Sequence, residues 1–202
     1  MHAVFRYCIC FIICLFTVQV FAQSGAVREE QVTFLNGEVT LAGTLALPKG
    51  PGPYPAVVLL SGDGQQDRDW TFGKLKMGKI ISDRLVAGGV AVLRLDDRGV
   101  GGSSGESELQ ATFLDSCNDA RAAIRLLRAR PDITKVGLCG HSGGAIIAGM
   151  TAVQDTGGVD FFITISGPFI TGEEILLDQA RNLPHIYRAA ADQPDSEAKI
   201  IS

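Results

Sequence analysis

Gly140-His141-Ser142-Gly143-Gly144 is the most informative motif in this sequence. Residues 136–139 before it are mostly apolar and predict a short buried strand, and residues 145–153 after it predict an apolar helix. A serine between a strand and a helix, with glycines on both sides, matches the G-x-S-x-G pattern of a nucleophile elbow. Such a turn holds the hydroxyl clear of the sheet, next to helix N–H groups that favour negative charge. We therefore predict that Ser142 is a nucleophile directed at carbonyl groups.

A second stretch, residues 101–105, also fits the G-x-S-x-G pattern, but its surroundings differ. The apolar run before it ends several residues earlier at Leu95, and the polar residues after it open no small-residue helix. We therefore predict that Ser103 is not the nucleophile. Gly99-Val100-Gly101 is similar to the start of a dinucleotide-binding fingerprint, yet Ser104 occupies the third glycine position and no helix follows. No nucleotide cofactor is expected.

Composition and length narrow the classes of function. The 202 residues are enough for one domain with a sizeable core, and the formal net charge of −4 gives no reason to expect a nucleic-acid partner. No cysteine–histidine spacing resembles a metal site.

Cys117 and Cys139 lie outside the N-terminal apolar segment. They are expected to be buried thiols, with a disulfide between them as the alternative in an oxidising compartment.

Residues 1–22 have the layout of a secretory signal. Arg6 makes the start weakly positive, residues 8–21 are mostly apolar, and Val20-Phe21-Ala22 provides a cleavage site. The apolar run is short for a membrane span, although an uncleaved anchor is the alternative. We expect cleavage after Ala22, export to the periplasm or the medium, and no stable membrane span in the mature protein.

The rest of the chain alternates predicted strands and helices. Residues 31–35 and 39–47 flank Asn36-Gly37, which is a strong hairpin signal. The other predicted strands are 56–60, 90–95 and 161–165, and the predicted helices are 78–87 and 113–130. A hairpin followed by strand–helix alternation predicts an α/β fold with a mostly parallel sheet and an N-terminal antiparallel hairpin.

Capping signals mark the starts of two helices. Thr112 and Asp115 predict one capping box, and Thr171 and Glu174 predict another. Apolar spacings of three and four predict the buried face of the longer helix. That predicted face consists of Phe113, Cys117, Ala120, Ile124 and Leu127.

Three segments follow predicted strands at the edge of the sheet where α/β folds bind ligands. They are the loops 61–70 and 96–105 and the stretch around Ser142. Because the carboxyl ends of parallel strands meet at one edge, we expect these segments to converge. An ion pair between Asp97 and Arg98 is expected to steady the second loop.

The motifs in these segments resemble those of the α/β-hydrolase superfamily, in particular its bacterial branch of serine esterases and serine-aminopeptidase-like hydrolases. The resemblance runs from about residue 30 to the end. Besides residues 140–144, it rests on Ser-Gly-Asp-Gly-Gln-Gln-Asp-Arg-Asp at 61–69 and Asp-Asp-Arg-Gly-Val-Gly-Gly-Ser-Ser-Gly at 96–105. The three motifs occur in the order found in that superfamily.

The resemblance implies a mechanism. Ser142 would attack an ester, thioester or amide carbonyl of a small acyl-bearing substrate, and water would then hydrolyse the acyl-enzyme. The oxyanion hole would combine the N–H of Gly143 with the N–H of Asp63, or of Gly64 as the alternative. No cofactor or metal is implied. A non-catalytic binding protein and an acyltransferase on the same fold are the competing interpretations.

The general base and its acid are harder to assign. In this fold they follow the serine in the order acid, then histidine. The side chain of His141 is expected to point away from the hydroxyl of Ser142, and His185 is expected to be exposed. The resemblance implies a core over 30–171 and the start of a helical cap over 172–202. We therefore expect a fragment of the domain that lacks the last strands and the triad acid and base.

Overall fold

The computed structural model describes residues 27–106, 110–168, 170–171, 173–175, 177–178 and 180–182. In chain order its elements are β1 (Arg28–Asn36), β2 (Val39–Leu47), β3 (Tyr54–Leu60), β4 (Thr71–Phe72), β5 (Leu75–Lys76), α1 (Met77–Ala87), β6 (Ala91–Leu95), α2 (Phe113–Arg128), β7 (Ile133–His141), α3 (Gly143–Gln154) and β8 (Phe161–Ile165). All the predicted strands and helices within these residues form. The β4–β5 hairpin is not predicted, because strands of two residues leave no periodic signal.

Six strands form one sheet in the order β1-β2-β6-β3-β7-β8. Neighbours from β6 to β8 pair in parallel, whereas β1 with β2 and β2 with β6 are antiparallel. The predicted α/β class, mostly parallel with an antiparallel N-terminal hairpin, is confirmed. Because β3, β6 and β7 run in one direction, the segments that follow them leave the sheet at one edge.

The turn of the N-terminal hairpin lies one residue later than predicted. Asn36 pairs with Val39, so the two loop residues are Gly37 and Glu38 rather than Asn36 and Gly37. Gly37 has a φ of 60°. A positive φ at the first central position is what tight two-residue hairpin turns require, and glycine adopts it without steric cost.

Apolar side chains cover both faces of the sheet. On one face, α2 and α3 pack over a cluster that includes Leu93, Ile124 and Leu138. On the other face, α1 and the side chain of Trp70 cover a smaller cluster that includes Val57. Burial on both faces explains why the central strands read as continuous apolar runs rather than as alternating patterns.

The predicted capping boxes form at both positions. The Thr112 hydroxyl accepts a hydrogen bond from the Asp115 N–H, and the Asp115 carboxylate accepts one from the Thr112 N–H. Thr171 and Glu174 exchange the same pair of bonds, at 2.9 and 3.2 Å. The core role predicted for Phe113 is wrong: it is 47% exposed, because it borders a cavity instead of the sheet.

Cys117 and Cys139 are free, buried thiols, so the disulfide alternative is wrong. Burial raises the pKa of the Cys139 thiol, which keeps it protonated and unreactive. The predictions for residues 1–22 and for His185 fall outside the described residues. Within the described residues, no helix combines the length and apolar character needed to cross a bilayer.

Candidate active site

Ser142 lies at the turn between β7 and α3 in a backbone conformation that serine rarely adopts. Its φ is 52° and its ψ is −119°. Such a conformation is costly for a non-glycine residue, and it persists only where the surrounding structure enforces it. One enforcing contact is short: a Cβ added at Gly140 would lie 2.1 Å from the carbonyl oxygen of Gly144. The turn therefore needs a glycine at position 140.

The loop after β3 lies directly against this turn. A Cβ added at Gly144 would lie 2.2 Å from the carbonyl oxygen of Ser61 and 2.4 Å from that of Leu60. A Cβ added at Gly62 would lie 3.2 Å from the Cβ of Ser142. The first turn of α3 and the end of β3 are thus in backbone contact, which brings two of the three predicted segments together.

Asp63 and Gly143, the predicted oxyanion donors, are also adjacent. The Asp63 backbone nitrogen lies 3.5 Å from the position that a Cβ on Gly143 would occupy. One carboxylate oxygen of Asp63 lies 2.1 Å from that position, so the side chain of the exposed Asp63 packs against the α-carbon of Gly143. Gly64, the alternative donor, has a φ of 94° in the turn that follows.

The third predicted segment, after β6, reaches the loop after β3 through Asp97. Its carboxylate accepts hydrogen bonds from the Ser61 hydroxyl at 2.8 and 3.0 Å and from the Gln66 N–H at 2.9 Å. Arg98 has a different partner from the one predicted, since it pairs with Asp119 of α2. A turn begins here, since the Val100 N–H donates to the Asp97 carbonyl at 3.0 Å, and Arg98 lies within this turn.

Asp96 is buried and binds Arg68, which lies later in the loop after β3. Its carboxylate accepts hydrogen bonds from the Arg68 N–H at 2.8 Å, from the Arg68 guanidinium and from the Gly102 N–H at 2.9 Å. Burial by itself raises the pKa of the Asp96 carboxyl, but these bonds outweigh burial and hold the pKa below its ordinary value of 3.8. The ionised form is therefore part of the folded structure.

This shift predicts that Asp96 makes folding stability depend on pH. Because the pKa is lower in the folded state than in the unfolded state, the stabilisation is complete above the unfolded value and is lost as pH falls below it. We expect Asp96→Asn to lower the free energy of unfolding at pH 7, and the deficit to shrink toward pH 3. Urea denaturation of both proteins at pH 7, 5 and 3 measures this. A deficit that stays constant across that range contradicts the assignment.

Ser103 is buried, and its side chain binds backbone groups of the protein. Its buried hydroxyl donates to the Asp96 carbonyl at 2.8 Å and accepts from the Ala42 N–H at 3.0 Å. The neighbouring Ser104 hydroxyl accepts from the Thr40 N–H at 2.8 Å. The second G-x-S-x-G stretch therefore holds the loop after β6 against β2.

Arg94, which no motif in the sequence singles out, is buried within β6 and 2% exposed. Its guanidinium pairs with Glu29 of β1 at 2.8 Å and with Asp69 in the loop after β3. The available signal was a single charge inside the apolar run 90–95, since a buried charge requires a partner. Arg94 and Arg68 together tie the distal half of the loop after β3 to the sheet.

His141 is the sole histidine among the described residues. Its ring centroid lies 6.0 Å from that of Trp70, and its Nδ1 lies 3.1 Å from the position of a Cβ on Gly62. The ring thus lies on the Trp70 side of the turn, with the apolar cluster that α1 covers. In the part of the chain that the structure describes, the ring makes no hydrogen bond to the Ser142 hydroxyl.

A cavity of about 220 Å³ opens beside the predicted oxyanion donors. Its buried inner wall is mostly apolar but also includes Asp96, and its mouth is exposed. The inner wall includes Leu41, Leu59, Leu95 and Ala120, and the mouth includes Asp63, Thr112 and Phe113. A water molecule occupies about 30 Å³. The cavity therefore has room for a short acyl chain, and is smaller than typical drug-sized pockets of about 300–1,000 Å³.

Known proteins resemble this chain in sequence. Residues 76–193 match the family model described as serine aminopeptidase, S33. A curated relative, esterase EstD of Thermotoga maritima, is 34% identical over 166 residues, which are 80% of this chain and 38% of EstD. The chain thus spans well under half the length of this relative.

Solved structures share the fold. Est1E from Butyrivibrio proteoclasticus, with ferulic acid bound, has a TM-score of 0.57 at 20% identity, over 67% of this chain and 52% of that one. The α/β hydrolase GrgF from Penicillium has a TM-score of 0.59 at 20% identity, over 82% and 55%. A dienelactone hydrolase from Anabaena variabilis has a TM-score of 0.56 at 23% identity, over 70% and 64%. At these identities the likeness concerns the fold alone.

Proposed function

Because this chain belongs to the serine aminopeptidase (S33) family of α/β-fold hydrolases, we propose that it cleaves carboxylic esters or related acyl bonds through an acyl-enzyme on Ser142. The observation that carries the proposal is the enforced φ of 52° at Ser142, beside the N–H groups of Gly143 and Asp63. Strained backbone of this kind concentrates at functional sites, where it presents a reacting group.

The proposed reaction has two steps. The Ser142 oxygen bonds to the acyl carbon while its proton passes to a general base, and the leaving group departs with that proton. Water then attacks the acyl-enzyme and regenerates the serine. In each step, negative charge develops on the former carbonyl oxygen, and the N–H groups of Gly143 and Asp63 are proposed to receive it. One donor of this type is typically worth about 10²–10³ in rate.

The cavity suggests the size of the acyl group. It adjoins Gly143 and Asp63, its inner wall is mostly apolar, and its volume is about 220 Å³. We propose that it holds a short acyl chain while the leaving group points outward. The similarity to esterase EstD supports an ester as the substrate class.

The general base and its acid are proposed to lie outside the described residues. His141 packs near Trp70, and within the described residues its ring makes no hydrogen bond to the Ser142 hydroxyl. Export of the mature protein, after cleavage at Ala22, is likewise proposed from residues 1–22 of the sequence.

Labelling with a fluorophosphonate tests the proposed function. The serine oxygen displaces fluoride from phosphorus, its proton leaves to base or water, and the adduct marks the nucleophile. We expect mass spectrometry to locate the adduct on Ser142 and none on Ser103. A folded chain that is not labelled favours a non-catalytic binding protein, and an adduct at any other residue overturns the assignment.

A further inference from the structure

The loop after β3 is held by two consecutive carboxylates at the end of β6. Asp97 accepts hydrogen bonds from Ser61 at the start of the loop and from Gln66 beyond its turn. The backbone strengthens this connection, since the Asp97 N–H donates to the Gln66 carbonyl at 3.1 Å. Asp96 holds Arg68, further along. Residues 62–65 therefore lie between Ser61 and Gln66, which both bind the Asp97 carboxylate.

Asp63 lies within the segment formed by residues 62–65. Its N–H is the proposed oxyanion donor, and such donors act only when they face the position where charge will develop. The segment contains two glycines, Gly62 and Gly64, and Gly64 adopts a φ of 94°. Glycine-rich backbone loses the most conformational freedom on ordering. Without the Asp97 anchors, the segment would have many conformations that turn the Asp63 N–H away.

We propose that Asp97 is a positioning residue that orders residues 61–66, so that the Asp63 N–H faces the oxyanion. This inference rests on the proposed function. A carboxylate only accepts hydrogen bonds, so the Ser61 hydroxyl must donate to Asp97, which fixes the orientation of that hydroxyl as well. An asparagine at this position keeps one acceptor oxygen and places an NH₂ donor where the second acceptor was.

The hydrogen bonds that each substitution at Asp97 or Ser61 removes predict the order of the variants' inactivation rates. Asp97→Ala removes both anchors, Asp97→Asn keeps one, and Ser61→Ala removes only the hydroxyl contact. Loss of an oxyanion donor typically costs about 10²–10³ in rate. We expect the maximal rate of inactivation by a fluorophosphonate to fall about 10²-fold in Asp97→Ala and roughly 10-fold in Asp97→Asn. Ser61→Ala is expected to lie between Asp97→Asn and the unsubstituted chain. The inhibitor concentration at half-maximal rate is expected to stay within about twofold.

Asp132 offers a matched control. It is a partly buried carboxylate bound by Arg130 at 2.8 Å, and it precedes β7, at the opposite end of the sheet from the candidate site. Asp132→Asn is expected to lower thermal stability without changing the maximal inactivation rate. Amide hydrogen exchange provides a second measurement, since Asp97→Ala is expected to accelerate exchange at Gln66 and not in β7.

The outcomes separate this inference from the proposed function. The positioning role of Asp97 is overturned if Asp97→Ala leaves the maximal inactivation rate unchanged. It is also overturned if Asp132→Asn lowers that rate as much as Asp97→Ala does when the two variants have lost equal stability. A change confined to the half-maximal concentration overturns it too, because Asp97 would then contact the ligand. If the unsubstituted chain is not labelled, the proposed function fails. The exchange rates at residues 61–66 then decide whether Asp97 orders the loop. If Asp97→Ala does not fold, Asp97→Asn and Ser61→Ala supply the same comparison.

Discussion

Ser142→Ala is expected to abolish fluorophosphonate labelling and to reduce ester hydrolysis to a residual level, while stability changes by less than about 0.5 kcal/mol. The serine hydroxyl makes no capping hydrogen bond to α3, so its removal leaves no buried group unpaired. Alanine also bears the same backbone cost at a φ of 52° as serine. Without the nucleophile, only binding and the oxyanion donors remain, which in serine hydrolases leave about 10³–10⁴-fold acceleration over water.

Ser103→Ala is the matched control, because it changes the serine of the other G-x-S-x-G stretch. The opposite result is expected: labelling at Ser142 persists, and the protein loses about 1–3 kcal/mol of stability. The reason is that the Ala42 N–H and the Asp96 carbonyl lose their buried partner. Hydrolysis of a p-nitrophenyl ester and urea denaturation of both variants give the comparison. Activity that survives in Ser142→Ala and disappears in Ser103→Ala reverses the assignment of the nucleophile.

A second substitution at position 142 separates the effect of backbone strain from that of the hydroxyl group. Ser142→Gly is expected to raise the free energy of unfolding by about 1 kcal/mol while it abolishes labelling, since glycine adopts a positive φ without steric cost. A gain in stability at the cost of activity is typical of a residue held in strain for function.

Gly144→Ala is expected to destabilise the protein by about 3 kcal/mol or more, a large share of the roughly 5–15 kcal/mol that stabilise a typical domain. The added Cβ would lie 2.2 and 2.4 Å from two carbonyl oxygens of the backbone, at Ser61 and Leu60. No rotamer change relieves a contact with backbone. Either α3 or the loop after β3 must move, and both carry the candidate site.

Gly149→Ala, in the same helix, is expected to have the opposite sign. A Cβ at Gly149 would meet nothing within 4 Å, and alanine is favoured over glycine in a helix interior by about 0.8–1.0 kcal/mol. Thermal and urea denaturation of the two variants measure the contrast. Equal effects at positions 144 and 149 would show that helix propensity, rather than contact with β3, governs both sites.

Particular residues show how far the sequence alone predicts this site. Ser142 is identifiable because its glycines, strand and helix are contiguous in the chain, and the serine of the stretch at 101–105 is rejected for the same local reason. The position of Asp63 beside Gly143 is predicted only through the family resemblance. The roles of Arg94 and Arg98 are not predicted, because each depends on a partner more than 20 residues away that no local pattern identifies.

Local sequence patterns were enough to predict the alternation of strands and helices, the mostly parallel sheet, the capped start of α2 and the turn that holds Ser142. These features follow from hydrophobic periodicity and glycine stereochemistry, which act over a few neighbouring residues. The packing of distant segments, by contrast, sets the bonds between Asp97 and the loop that carries Asp63, and it leaves the two cysteines without a disulfide. It also decides that Phe113 faces a cavity. Such outcomes depend on which side chains meet when distant segments pack together, and contacts of that kind are set by the whole fold.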